Sequence, residues 1–238
     1  MSLRLDWCSY QAAKYAVEHW HYSRTIPANR SNYVGAWEDE EFIGVVIFGL
    51  GASPSLGKPY GLDNFEFAEL TRVALRNHKT PASRIVTISR KMVVLKNPGL
   101  RLLISFADPF HEHIGAIYQA MNWIFTGMSG AGEIYQLLDG SFVDPRRYNG
   151  HGHNKPRTIP SGAKLIKTPG KYRYLYPLDS AMRKQIEPLR KPYPKRGTGE
   201  RDNAAQTNEQ TEGASPIVPL LIQSEENNHA PDTSDPQP

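Results

Sequence analysis

At 238 residues, 39% of them apolar, with a formal charge of +4, the chain can bury one ordinary core with extensions. Its single cysteine, Cys8, excludes an internal disulfide, and no Cys/His spacing resembles a zinc site, so an intracellular protein is expected. No run approaches the ~20 apolar residues of a membrane span, and the opening MSLRLDWCSY lacks the apolar region of a signal peptide, which points to a cytoplasmic protein with no membrane partner.

Leu3 to Trp7 reads as a first strand. Gln11 to Trp20 reads as a helix capped by Ser9, with Ala13, Val17 and Trp20 on one face. Tyr33 to Trp37 and Phe42 to Gly49 form a hairpin across Glu38 to Glu41. The segment GLGASPSLGKPYGLDN holds too much Gly and Pro for regular structure. A strand from Phe67 to Leu75 follows, then a helix from Pro81 to Lys96 with Ile85, Ile88, Met92 and Leu95 at helical spacing. Asn97-Pro98-Gly99 stops that helix, and Leu100 to Phe106 is the continuous apolar run of a buried strand. A helix over Ile114 to Met121 and closing strands over Trp123 to Gly127 and Ile134 to Leu138 complete the pattern.

Ligands in open α/β sheets sit beyond the carboxyl ends of the strands, so Asp108, His111, His113 and Tyr118 fall where a site is expected. Asp108 equally suits a cap before Pro109, and Tyr118 a core tyrosine with a satisfied hydroxyl. His111 and His113 read as surface turn residues, and His151 and His153 as part of a Gly-rich loop without ligand geometry.

The charge is divided. From Gly197 onward Arg201 is the one basic side chain against eight acidic ones, giving −7 there and +11 over residues 1–196. That surplus concentrates late, in a stripe that includes Arg146, Arg147, Lys171, Arg173, Arg183 and Lys184, interleaved with Tyr148, Tyr172, Tyr174, Tyr176 and Tyr193. Such a stripe suits a nucleic-acid backbone with stacking partners, or serves as a solvated surface. Three parts are expected: a core over 1–145, a basic Tyr-rich extension over 146–196 packed on it, and a disordered acidic tail over 197–238.

The element order matches the acyltransferase fold called GNAT, an α/β fold with a mixed central sheet flanked by helices, its second helix here reduced to a loop from Ser23 to Asn32. In that fold a helix N-terminus receives the pyrophosphate of the acyl donor. The corresponding junction here, VALRNHKTPASR, lacks the usual Q/R-x-x-G-x-G/A loop.

The chain also resembles the bacteriophage Mom family. The shared features are His21-Tyr22-Ser23, GVVIFGLGA followed by LGKPYGL, ELTRVAL, TPASRI, SFADP, IYQAMNW and KYRYLYPLD, in consistent order over roughly residues 15 to 180. The resemblance implies a phage enzyme, working in the bacterial host cytoplasm, that converts adenine N6 in DNA to a carbamoylmethyl form and shields the DNA from restriction. It implies functional positions at His21, Tyr22, Arg72, Ser83, Asp108 and Tyr118.

In these roles Asp108 accepts a proton from the amino group, Tyr118 donates to a leaving group or oxyanion, and His21 with Tyr22 shuttles protons. Without the family, His21 reads as a helix-end cation and Tyr22 as a packing aromatic. Arg72, Ser83 and Arg84 are assigned to the donor, with pairing of Arg72 to Glu69 as the alternative. The family also implies iron on the N and O atoms of His21, Tyr22, Asp108 and Tyr118, although these residues lack the spacing of a metal motif.

The expected donor is an activated acyl group, acetyl-CoA included, or a glycine-derived unit. Acyl transfer alone would leave an amide, whereas the carbamoylmethyl product is attached through an alkyl carbon. DNA is the expected partner, with the adenine flipped or single-stranded and Trp20, Tyr22, Trp123 and Tyr148 as stacking candidates. An ordinary GNAT acetyltransferase and a non-catalytic DNA-binding protein are the competing readings. Nothing in the residues specifies an oligomeric state.

Overall fold

Ser9 begins the first helix by accepting the Ala12 N–H at 3.2 Å, and the apolar stripe of Ala13, Ala16 and Val17 gives that helix its buried face. This local logic recurs along the chain. The computed structural model describes residues 2–28, 31–51, 53–145, 148 and 158–195.

In chain order the elements are β1 (Leu3–Trp7), α1 (Tyr10–Trp20), β2 (Ser31–Glu38), β3 (Glu41–Gly49), β4 (Phe67–Leu75), α2 (Ala82–Lys96), β5 (Leu102–Ala107), α3 (Ala116–Ala120) and β6 (Ile124–Met128). Asp39 and Glu40 turn the β2–β3 hairpin at φ +47 and +68, the left-handed pair that matches strand twist. Pro54–Tyr60 forms a 3-10 helix where no regular structure is expected, capped by Ser53, which accepts the Ser55 N–H at 3.1 Å. Residues 23–28 carry no helix, in keeping with the reduced second helix.

Beyond β6 come β7 (Gly132–Gln136), β8 (Phe142–Val143), β9 (Lys164–Thr168), β10 (Tyr172–Pro177) and α4 (Ser180–Ile186). The main sheet has the order β1-β2-β3-β4-β5-β10-β6, with every pair antiparallel except β4 and β5. This mixed sheet with helices on its faces is the GNAT-like α/β class.

Two expectations are corrected. The strand near Ile134 to Leu138 does not close the main sheet; β7 pairs with β8 and β9 in a separate three-stranded sheet. Residues 146–196 are not simply an extension laid on a finished core, because β10 lies between β5 and β6 inside the unit Met1–Lys195. Alternation explains the insertion. Tyr172, Tyr174 and Tyr176 pack into the core beside α2 and α3, while Leu175 joins Met182 and Ile186 of α4 on the opposite face. The acidic tail lies outside the described residues.

The feature that positions the site is the parallel pair. β4 and β5 are in register from Phe67 with Leu102 to Leu70 with Ser105, where their pairing ends although β4 continues to Leu75. On its other side β4 is bulged: Ile47 pairs with Arg72 and Phe48 with Leu70, leaving Thr71 as the extra residue. A bulge bends its strand and re-aims the side chains beyond it. After Thr71, Val73 and Leu75 join the core beneath α2, while Ala74 packs against α1.

Candidate active site

Three chain segments meet at the carboxyl end of β5. α1 ends at His21, whose N–H closes the helix onto the Val17 carbonyl and whose backbone then turns extended. The Ser23 N–H donates to His21 Nδ1 at 3.1 Å, and the Ser23 hydroxyl lies 2.8 Å from the same atom. Because a backbone N–H can only donate, Nδ1 is the acceptor, and the neutral ring carries its proton on Nε2. Burial, then the charges of Arg72, His113, His111 and Lys171, lower the His21 pKa to about 3. At neutral pH His21 is therefore an uncharged imidazole presenting a donor.

Tyr22 follows, 48% exposed, with its ring 4.3 Å from His21, 4.5 Å from His111 and 5.1 Å from His113. Burial of its hydroxyl raises its pKa, with Lys171 lowering and Asp108 raising it, so the phenol stays protonated. His111 and His113, set aside in the sequence, thus belong to the site. The Asp108-Pro109 turn brings them there, since the Asp108 carbonyl accepts both of their N–H groups at 3.1 Å.

Asp108 caps that turn. The Phe110 N–H donates to Oδ1 at 3.1 Å, and the Lys171 ammonium donates to Oδ2 at 2.9 Å. The cap reading of this residue is met by Oδ1, while Oδ2 faces Lys171. Its carboxylate is 12% exposed against 49% for Lys171.

Tyr118 reaches the split between β4 and β5 from the other face. The Ser105 hydroxyl donates its one proton to the Leu70 carbonyl at 2.8 Å, so the 2.7 Å contact between Tyr118 and Ser105 is a bond donated by the tyrosine. Burial pushes the Tyr118 pKa up to about 12, and Tyr22 and Glu69 act on it electrostatically through the split. Ser105 was visible only as part of SFADP, and its role depends on a cross-strand neighbour.

Arg72 ties the loop after α1 to β4 through Nε to the Thr25 carbonyl at 3.1 Å, with Nη1 on the Thr71 carbonyl at 2.7 Å. Ser83 and Arg84 stand in the first turn of α2, and Arg84 is not among the charges acting on His21 or Tyr22. Several N–H groups at the α2 junction are already engaged by the chain itself. Glu38 accepts the N–H groups of Lys79 at 2.9 Å and Thr80 at 2.6 Å, Pro81 has no N–H, and the Arg84 N–H turns to the Pro81 carbonyl. Donors from Thr80 and then Lys79 hold the Glu38 carboxyl at about 2, so the anion seated there is the chain's own.

Nothing in the geometry marks the tetrad of His21, Tyr22, Asp108 and Tyr118 as an iron site. Among the described residues no three His, Cys, Asp or Glu side chains converge as a metal group. Asp108 Oδ2 accepts from an ammonium, His21 Nδ1 accepts from Ser23, and Tyr118 gives its proton to Ser105, so each of these three already has a protein partner.

The basic stripe disperses. Lys171 enters the site, Arg173 donates to Thr126 Oγ1 at 3.0 Å, and Arg183 and Lys184 lie on the exposed face of α4. Arg146 and Arg147 lie outside the described residues. Tyr174 and Trp123 are fully buried and unable to stack on a base, Trp20 is partly buried against the α1 core, Tyr148 is partly buried, and Tyr22 presents an exposed ring. A cleft of about 480 Å³, lined by Asn32, Asn64, Phe65, Lys96 and Leu100 among others, lies at the amino ends of β4 and β5, opposite Asp108.

Sheet and polar centre together define a GNAT-like α/β protein with a candidate site where the pairing of two parallel strands ends. A model of the Mom protein family matches residues 2–195, and the chain belongs to that family. It is similar to the methylcarbamoylase Mom of Escherichia phage Mu, 28% identical over 204 residues that cover 81% of this chain and 84% of the relative. Solved structures with related shapes include an Acinetobacter baylyi putative acetyltransferase (11% identity, TM-score 0.42, 81% of this chain and 97% of that one). A Bacillus subtilis acetyltransferase in complex with CoA matches at 13% identity and TM-score 0.41, over 75% of this chain and all of that one. No helix among the described residues is long and apolar enough to cross a membrane.

Proposed function

We propose that the chain is a phage DNA-modification transferase that converts adenine N6 to a carbamoylmethyl form and so protects phage DNA from restriction. Membership of the Mom family supports the class, and the phage Mu relative carries the name methylcarbamoylase. The observation that carries the site is the convergence of Asp108, His21, Tyr22 and Lys171 at the carboxyl end of β5.

The exocyclic amino group is a poor nucleophile because its lone pair is delocalised into the ring, so it needs an acceptor for its proton and a firmly held electrophile. Asp108 supplies the acceptor. Uncharged His21 and protonated Tyr22 supply donors for a carbonyl or leaving group, and Tyr118, locked on Ser105, fixes the far wall. The new bond joins N6 to the donor carbon, one N6 proton passes to the Asp108 carboxylate, and the leaving group departs with its bonding pair. The donor belongs to the activated acyl or glycine-derived class and is seated without a pyrophosphate on Lys79 and Thr80. Arg72, Ser83 and Arg84 are its proposed contacts. A base in a duplex must leave its stack to reach this centre, and the half-exposed Tyr22 ring is its seat.

Nucleosides from the DNA of cells expressing the full chain, separated and weighed by mass spectrometry, test the reading. A new adenine adduct is expected, lost in Asp108→Ala and reduced in Tyr118→Phe, which frees the ring from Ser105. Unmodified DNA despite soluble, DNA-binding protein would overturn it in favour of a non-catalytic binding role.

A further inference from the structure

We propose that Lys171 is a positioning residue, the ammonium that fixes the Asp108 carboxylate for the reacting base, and not one of the cations that grip DNA phosphates. The inference rests on the proposed role of Asp108.

The backbone brings Lys171 to this place before any charge acts. β10 pairs with β5 in antiparallel register, Tyr172 with Ala107, so Lys171, just before β10, stands opposite Asp108, just after β5. The start of β10 is pinned on its other side. The Lys171 N–H donates to Ser129 Oγ at 2.9 Å, and the Ser129 N–H donates to the Lys171 carbonyl at 2.8 Å. Gly170 makes that approach feasible, because a Cβ there would stand 1.9 Å from the Ser129 carbonyl oxygen. Such a start to a strand holds the next side chain where the register puts it.

The pair itself is asymmetric. Asp108 is nearly enclosed while Lys171 is half exposed, and both Asp108 oxygens are held, Oδ1 by the Phe110 N–H and Oδ2 by the ammonium. Two donors on two oxygens define the plane of a carboxylate, where one donor leaves it free to rotate about its last bond. Each oxygen keeps a second lone pair for an N6 proton. A cation committed to a carboxylate at 2.9 Å is also a weak choice for a phosphate, since taking the phosphate would leave the enclosed carboxylate without its counter-ion.

Two measurements on the full chain separate the roles. One is the rate at which adenine adduct accumulates in plasmid DNA at matched protein levels. The other is the affinity of the purified protein for a 20-base-pair duplex across a salt series. Lys171→Met is expected to slow adduct formation by roughly 10–100-fold, the scale of a misplaced catalytic group, with duplex affinity and salt slope unchanged. Lys171→Arg restores much of the rate because it restores the donor. The double variant Asp108→Asn with Lys171→Met is no slower than Asp108→Asn alone, because the lysine acts through the aspartate.

A Lys171→Met protein with normal adduct formation, weaker duplex binding and a flatter salt dependence would overturn the proposal and make Lys171 a phosphate contact. If that variant melts early, the comparison of Lys171→Arg with Lys171→Gln, one charged and long enough to reach Asp108 and the other neutral and shorter, reads the same difference. A wild-type chain that leaves DNA unmodified overturns the functional reading and this inference together; an active wild type with an indifferent Lys171 overturns the inference alone.

Discussion

His21 shows how one side chain converts burial into a pH signature. Burial and four neighbouring groups keep it uncharged down to about pH 3, whereas in the unfolded chain it binds a proton below its ordinary value of 6.5. The unfolded state therefore takes up protons that the folded state refuses, and stability falls as pH drops from about 6.5 toward 3. The slope contributed is at most about 1.4 kcal/mol per pH unit. Urea unfolding between pH 7 and 5, above the range in which ordinary carboxylates titrate, should show this loss in the wild type and a flatter profile in His21→Gln. Equal slopes would contradict the assignment. His21 and Tyr22 were legible in the sequence through their place after a helix and through family resemblance. Lys171 was legible only as one charge among many, because its contact depends on a strand register spanning residues 107 to 172. His111 and His113 had no metal spacing to mark them, and the turn that lifts both toward Tyr22 is made by the Asp108 carbonyl.

At the scale of elements, the start of α2 carries the clearest departure from the expected donor site. Glu38, at the end of β2, reaches across to the loop before the helix and satisfies the N–H groups of Lys79 and Thr80. If this internal anion takes the place of a donor pyrophosphate, CoA added to the ¹⁵N-labelled protein will leave the Lys79 and Thr80 amide resonances in place. In Glu38→Gln the same amides should exchange faster with solvent, because a neutral amide is a weaker acceptor than a carboxylate. CoA-dependent shifts of both resonances in the wild type would restore the ordinary arrangement. Linkage runs in the acid range here: the folded carboxyl titrates near 2, so its contribution to stability is complete above about 4.5 and disappears as pH falls toward 2. The strands and helices up to β6 were readable because apolar periodicity is local. β10 was hidden because Tyr and Arg or Lys in alternation describe a nucleic-acid stripe as well as a central strand, and only burial of Tyr174 and Leu175 separates the two.

Among the described residues the positive charge divides into a share at the candidate site and a peripheral share. Lys171 and Arg72 act electrostatically on His21 and Tyr22, Arg173 is hydrogen-bonded to Thr126, and Arg183 with Lys184 stands on the open face of α4. If the α4 pair holds the DNA backbone, Arg183→Ala with Lys184→Ala will weaken duplex binding equally for all sequences. The slope of log K against log salt should fall by about 0.9 for each phosphate that the variant no longer neutralises. An unchanged slope would move the DNA-binding surface elsewhere on the protein. Met182 and Ile186 anchor α4 through its other face, so this double variant leaves the core intact. The composition had already shown the surplus charge; its partition depends on which face of each element is covered.

The placement of β10 between β5 and β6 also sets an order in time. During synthesis Ala107 leaves the ribosome long before Tyr172, its partner in the sheet, and at ~5–20 residues per second the interval lasts seconds. Throughout it one edge of β5 remains unpaired, and β6 has no neighbour in the main sheet to dock against. Asp108 acquires its counter-ion only when the last strand threads into the gap. A message cut short before Tyr172 therefore leaves the main sheet open between β5 and β6, and the Asp108–Lys171 pair is assembled last.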